Sequence, residues 1–135
     1  MEHDEFIGQV QVRARLASRG EAERATRATL ETLSERLAGG AGDKLAAQLP
    51  REIGEHLRRG TSPTGERFSL DSFFTKVSER EGVQRAQAAF HARAVLEVVD
   101  EATQGSVLTK VRDQLPDEFD RLFEAGSQGR MPQDN

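Results

Sequence analysis

Apolar residues recur along this chain at intervals of three and four, and the strict alternation of strands hardly occurs, so the pattern predicts helix after helix. Phe6, Val10 and Ala14 mark one face of a helix over about residues 4–16. Ser18 stands three residues before Glu21, a capping-box spacing that opens a second helix running to about Ala38. Its inner face carries Leu30, Leu33 and Leu37, with Ala22 and Thr26 above them. The stretch Gly39-Gly40-Ala41-Gly42 stops that helix. Asp43 is placed to cap a short helix bearing Leu45 and Leu49. Pro50 ends it and can serve as the first residue of a fourth helix, whose buried face is Ile53 and Leu57.

Residues 61–67 (TSPTGER) read as a turn-rich linker. Beyond it the pattern returns. Phe73, Phe74 and Val77 share a helix, and a long helix from about Val83 to Thr103 carries Leu96 and Val99 flanked by Val95, Val98 and Ala102. This wider stripe predicts that the long helix over residues 84–104 is the most buried element. A short helix with Leu108, Val111 and Leu115 follows, and Pro116 starts a last one with Phe119, Leu122 and Phe123. Residues 127–135 read as a flexible tail.

The return is also a return of letters. Shifted by 66 residues, 26–60 fall onto 92–126 with 12 identities in 35 positions, among them Arg27/Arg93, Leu30/Leu96, Glu31/Glu97, Glu35/Glu101, Pro50/Pro116 and Glu52/Glu118. With one residue of slippage Phe6 and Val10 meet Phe73 and Val77. A self-similarity of this length predicts repeated architecture. The expected fold is all-α: an internally duplicated helical bundle in one domain over 1–126, with repeat 1 at about 4–60 and repeat 2 at about 70–126. Each half is too small for a secure core of its own, so the two pseudo-symmetric four-helix halves are expected to bury Leu30 and Leu33 against Leu96 and Val99.

Composition narrows the function classes. The chain has seven Phe but no Trp and no Tyr, the residues that most often anchor interfaces or stack on bases. Without cysteine it has no disulfide, no thiolate metal site and no thiol nucleophile. The net charge of −4 and the absence of a basic block speak against nucleic acid as a partner. The N-terminus, MEHDEF, has no signal-peptide character, and no run approaches the ~18 apolar residues of a membrane span. A cytoplasmic protein with no membrane association is expected.

The candidate motifs have plainer structural readings. Gly39 to Lys44 resembles a phosphate loop only in glycine content, because a helix precedes it and Leu45 follows the lysine. Arg27/Glu31 and Arg93/Glu97 sit four apart in the two long helices and predict an ion-pair ladder, with a ligand-binding charge cluster as the competing reading. His3, His56 and His91 lack helical metal-site spacing, since Ile53 and Ala88 stand three residues before the last two. His91 falls on the apolar face with Val95 and Val98 and is expected to be part-buried and hydrogen-bonded. No catalytic constellation, cofactor motif or metal site emerges.

The words DEFIGQVQVRA (4–14), EAERATRATLETLSERLAGG (21–40), LAAQLPREI (45–53), FFTKVSEREG (73–82), HARAVLEVVDEA (91–102) and VRDQLPDEF (111–119) together resemble the DUF2267 family of small bacterial proteins. The resemblance covers most of residues 1–126 and implies an all-helical, internally duplicated fold. It implies no activity, substrate, cofactor or catalytic residue.

Two classes of function follow. One is a non-enzymatic helical protein whose partner is another protein or a second copy of itself, met through exposed Phe and Leu or a cleft between halves. The other is a small-ligand binder or sensor with a pocket between the two repeats near His91 and Arg93. Enzymatic activity has no residue group to support it.

Overall fold

Two helices of 18 residues each, α2 (Arg19–Arg36) and α6 (Arg85–Ala102), form the axis of an all-helical structure. This computed structural model describes residues 1–38, 40–59, 65–105 and 108–124. The expected tail at 127–135 and most of the linker, 61–64, lie outside the described residues. Around the axis stand α1 (His3–Arg13), α3 (Ala41–Ala46), α4 (Arg51–Arg59), α5 (Leu70–Glu81) and α7 (Leu108–Asp113). A 3-10 turn at Asp117–Phe119 leads into α8 (Asp120–Glu124). No strand occurs among the described residues.

Local chemistry sets the helix ends. The Ser18 hydroxyl accepts from the Glu21 N–H while the Glu21 carboxylate accepts from the Ser18 N–H, so the capping box forms as expected. Ser69 caps α5 in the same sense by accepting from the Ser72 N–H. Gly82 ends α5 at a φ of 78°, where glycine has no Cβ to clash. Arg15, just after α1, takes a positive φ of 56° without that freedom.

Four expected boundaries shift. Asp43 is inside α3 rather than its cap; the N-cap is Gly40, with a φ of 77°. Leu49 lies past the end of α3, yet is buried. Pro50 and Pro116 stand before their helices instead of opening them: the Pro50 carbonyl accepts from the Gly54 N–H, and Pro116 has an extended ψ of 157°.

Every α-helix contributes to one continuous buried cluster. Leu30, Leu33, Leu96 and Val99 all belong to it and are at most 1% exposed. α2 packs on α1, α4, α5 and α6, while α6 packs on α1, α2, α5 and α8. Phe73 of α5 stacks edge-on against Phe119 with ring centres 6.1 Å apart. α6 has the wider apolar face, as expected: Ala92, Val95 and Val98 are buried where α2 has Thr26, Thr29 and Thr32. Two of those threonines satisfy their hydroxyls on their own helix, Thr26 to the Ala22 carbonyl and Thr32 to the Ala28 carbonyl.

Candidate functional site

The outer sides of α1, α2 and α4 enclose an open cleft of about 520 Å³. Helical spacing places its residues. His3 and Ile7 lie one turn apart on α1, and Gly20, Glu23, Arg24 and Arg27 follow one face of α2. Glu52, Glu55, His56 and Arg59 do the same on α4. The cleft therefore holds three arginines, three glutamates and two histidines, with Ile7 as its one large apolar residue among the described residues.

Its charges are not paired with one another. Among the described residues none of Arg24, Arg27 and Arg59 forms a salt bridge. Arg24 donates only to the Glu81 carbonyl, at 3.4 Å. Two of the glutamates have partners on their own helices: Glu23 lies 3.7 Å from Arg19, and Glu55 lies 3.7 Å from Arg58. His56 is half-buried, and its Nδ1 is sealed from solvent with no hydrogen-bond partner. Burial pushes its pKa below the usual histidine value, and the neighbouring charges of Arg59, Arg27 and His3 push it further against a smaller opposing pull from Glu23. The potential at this imidazole is net positive.

A second cleft, of about 450 Å³, lies at the aligned place on α5, α6 and α8. Here Asp71, Arg85, Glu118 and Arg93 all have partners, while the Arg121 side chain has no salt bridge among the described residues. Glu118, aligned with Glu52, accepts from the Leu70 N–H at 2.5 Å and so caps α5. Arg93, aligned with Arg27, donates from Nε to the Arg121 carbonyl at 3.1 Å and lies 5.5 Å from the Phe74 ring centre. Burial lowers the pKa of Arg93, with the charge of Arg121 adding to it. Leu70, Phe74 and Leu122 stand where the first cleft has His3, Ile7 and His56.

A family model described as an uncharacterized conserved protein (DUF2267) matches residues 3–122. The chain belongs to the DUF2267 family. Among curated proteins none matches it.

In this DUF2267 protein the residues singled out by sequence separate. His91 is 4% exposed and its Nδ1 meets Glu81 Oε2 in a close buried contact, while the other carboxylate oxygen of Glu81 is buried without a partner. His91 lines none of the clefts described here, whereas Arg93, two residues on and so on another side of α6, lines the second. Neither cleft described here is lined by both residues: one lies on α1, α2 and α4, the other on α5, α6 and α8. The expected ladder is also absent: among the described residues no ion pair joins Arg27 to Glu31 or Arg93 to Glu97. Glu97 and Glu101 instead receive Arg13 of α1, and Glu35 receives Arg80 of α5. Gly40 is the left-handed N-cap of α3, and a Cβ on Gly42 would lie in ordinary contact range of the Leu57 carbonyl; the element before them is a helix, not the strand a phosphate loop needs.

Exposed Phe or Leu does not occur among the described residues; the large apolar side chains in solvent are Met1 and Val12. No group of three or more His, Asp and Glu is arranged for a metal among the described residues. No described helix is long and apolar enough to cross a membrane.

The sequence reading missed His56. The signal available was its alignment with Leu122, and that of His3 with Leu70: titratable residues aligned with leucines.

Proposed function

We propose that this protein is a non-enzymatic binding protein whose ligand is small and polar and sits in the cleft between α1, α2 and α4. The observation that supports this reading most is the set of three arginines lining an open cleft with no salt bridge among the described residues. All three arginines are exposed along the cleft wall, so their guanidinium donors are open to a ligand that enters the concave site. Docking of a protein or a second copy by apolar contact has less support, because Met1 and Val12 are isolated in solvent.

The test is a thermal-shift screen of small polar compounds on the wild type and on Gly20→Phe. Gly20 lines the cleft, and a Cβ there meets nothing within 4 Å, so the new ring fills the cleft without a clash at its root. A true ligand at 100 times its Kd adds about 2.7 kcal/mol of stability. The reading expects hits that disappear in Gly20→Phe. A screen without hits, or hits of equal size in both proteins, contradicts it.

The same proposal includes descent of the two halves from one copied helical unit. Support comes from matched features: Arg19 pairs with Asp4 as Arg85 pairs with Asp71, and Arg15 and Gly82 share a positive φ. In this reading the second cleft became structural and the first kept its open donors.

A further inference from the structure

Resting on that reading, we infer that the ligand bears an anionic group, a phosphate or a carboxylate, seated between Arg27 of α2 and Arg59 of α4 beside His56. The charge count in the cleft is balanced on paper, but its use is not. Glu23 and Glu55 lean toward Arg19 and Arg58, cations outside the cleft. Glu52, the third glutamate of the lining, has no salt bridge among the described residues, and neither have Arg24, Arg27 and Arg59. Guanidinium forks match the two oxygens of a carboxylate or phosphate, and such charge-assisted bonds strengthen in a partly enclosed site.

The aligned second cleft acts as an internal comparison. Arg93 is satisfied by a carbonyl and a ring, and Glu118 by a backbone N–H. Arg27 has neither kind of partner among the described residues and remains exposed on the cleft wall. A cationic ligand would have to sit against the same arginines. A metal ion finds no group of three suitable side chains here among the described residues.

His56 supplies the reporter. It feels Arg59 and Arg27 directly, and its Nδ1 has no internal partner to mask a change. An anion beside those arginines neutralises the positive field, so it must raise the imidazole pKa.

The experiment is an NMR pH titration of the His56 ring in the full chain. It is run in sodium phosphate, in sodium acetate and in sodium chloride at matched ionic strength, for wild type, Arg27→Gln/Arg59→Gln and Arg85→Gln. The expected result is a saturable upward shift of the His56 midpoint with phosphate or acetate. The stronger anion identifies the group. The apparent affinity should fall at least tenfold in Arg27→Gln/Arg59→Gln and stay the same in Arg85→Gln. Equal responses to all three salts, or a response that survives Arg27→Gln/Arg59→Gln, overturns the inference. Cleft ligands that are neutral or cationic and are blocked by Gly20→Phe would overturn it too, while leaving the proposed function standing.

Discussion

Arg80, near the end of α5, grips both carboxylate oxygens of Glu35 on α2, at 2.9 and 2.8 Å. Its other terminal nitrogen donates to the Thr32 hydroxyl at 2.9 Å. Arg13 of α1 reaches across in the opposite sense, to Glu97 at 2.9 Å and to Glu101. Arg80 thus ties α5 to α2, and Arg13 ties α1 to α6. The Arg80 and Glu35 side chains are 33% and 22% exposed, so solvent screens part of the attraction. A double-mutant cycle with Arg80→Ala and Glu35→Ala, read by urea unfolding, should give a coupling of about 0.5–1 kcal/mol. The coupling should shrink in about 1 M salt.

The His91–Glu81 contact behaves differently because water is absent. The side chains are 5% and 3% exposed. Removing one partner strands the other in the core, at a cost of about 3 kcal/mol for His91→Ala or Glu81→Ala. The aligned positions in the first half are Ala14 and Ala25, both fully buried. The double variant repeats that apolar arrangement, so its loss should fall short of the sum of the single losses by at least about 1 kcal/mol. Additive losses in chemical denaturation would contradict this account of the pair.

How much of this was legible in the sequence depended on range. The capping box at Ser18 and Glu21 is decided within a few residues, and helical periodicity alone identified the core face of every long helix. The prolines were misplaced by one residue because Pro50 and Pro116 fit equally well as the last residue outside a helix or the first inside. The ion pairs were missed for another reason. Arg27 offered Glu31 a partner one turn away, and only tertiary packing brings Arg13 to the glutamates of α6 and Arg80 to the glutamate of α2. His91 stood out by itself, but its partner Glu81 sits across the α5–α6 turn, where no periodicity links them. The first cleft was hidden because helical spacing tested His56 only as a metal ligand.

Two glycines separate conformational cost from packing cost. At Gly82 a Cβ meets nothing within 4 Å, but φ is 78°, so Gly82→Ala should cost about 1 kcal/mol through the backbone alone. At Gly54 an added Cβ lies 2.8 Å from the Ala46 carbonyl oxygen, which forces α3 and α4 apart. Gly54→Ala should cost about 2–3 kcal/mol, and it should do so despite the better helix propensity of alanine. Urea midpoints of the two variants check the ranking.

His56 also makes stability depend on pH. Its folded pKa lies below the ordinary value of 6.5, first through burial and then through Arg59, Arg27 and His3. Below the unfolded pKa the unfolded chain therefore binds the proton more readily. The contribution of His56 is neutral above that point and becomes destabilising as pH falls through it toward the folded pKa. His56→Gln removes this term. Between about pH 7 and 5 the urea midpoint of the variant should fall less than that of the wild type. Parallel curves would show that the imidazole is not held in its neutral form.

The account turns on the claim that two aligned arginines have different work: Arg93 holds the fold and Arg27 waits for a ligand. The most direct measurement is urea unfolding of Arg27→Gln and Arg93→Gln side by side in a buffer free of multivalent anions. Arg93→Gln should lose about 1–2 kcal/mol, because it gives up a bond to the Arg121 carbonyl and its place over Phe74. Arg27→Gln should stay within about 0.5 kcal/mol of the wild type. Equal losses, or a larger loss at Arg27, would contradict it.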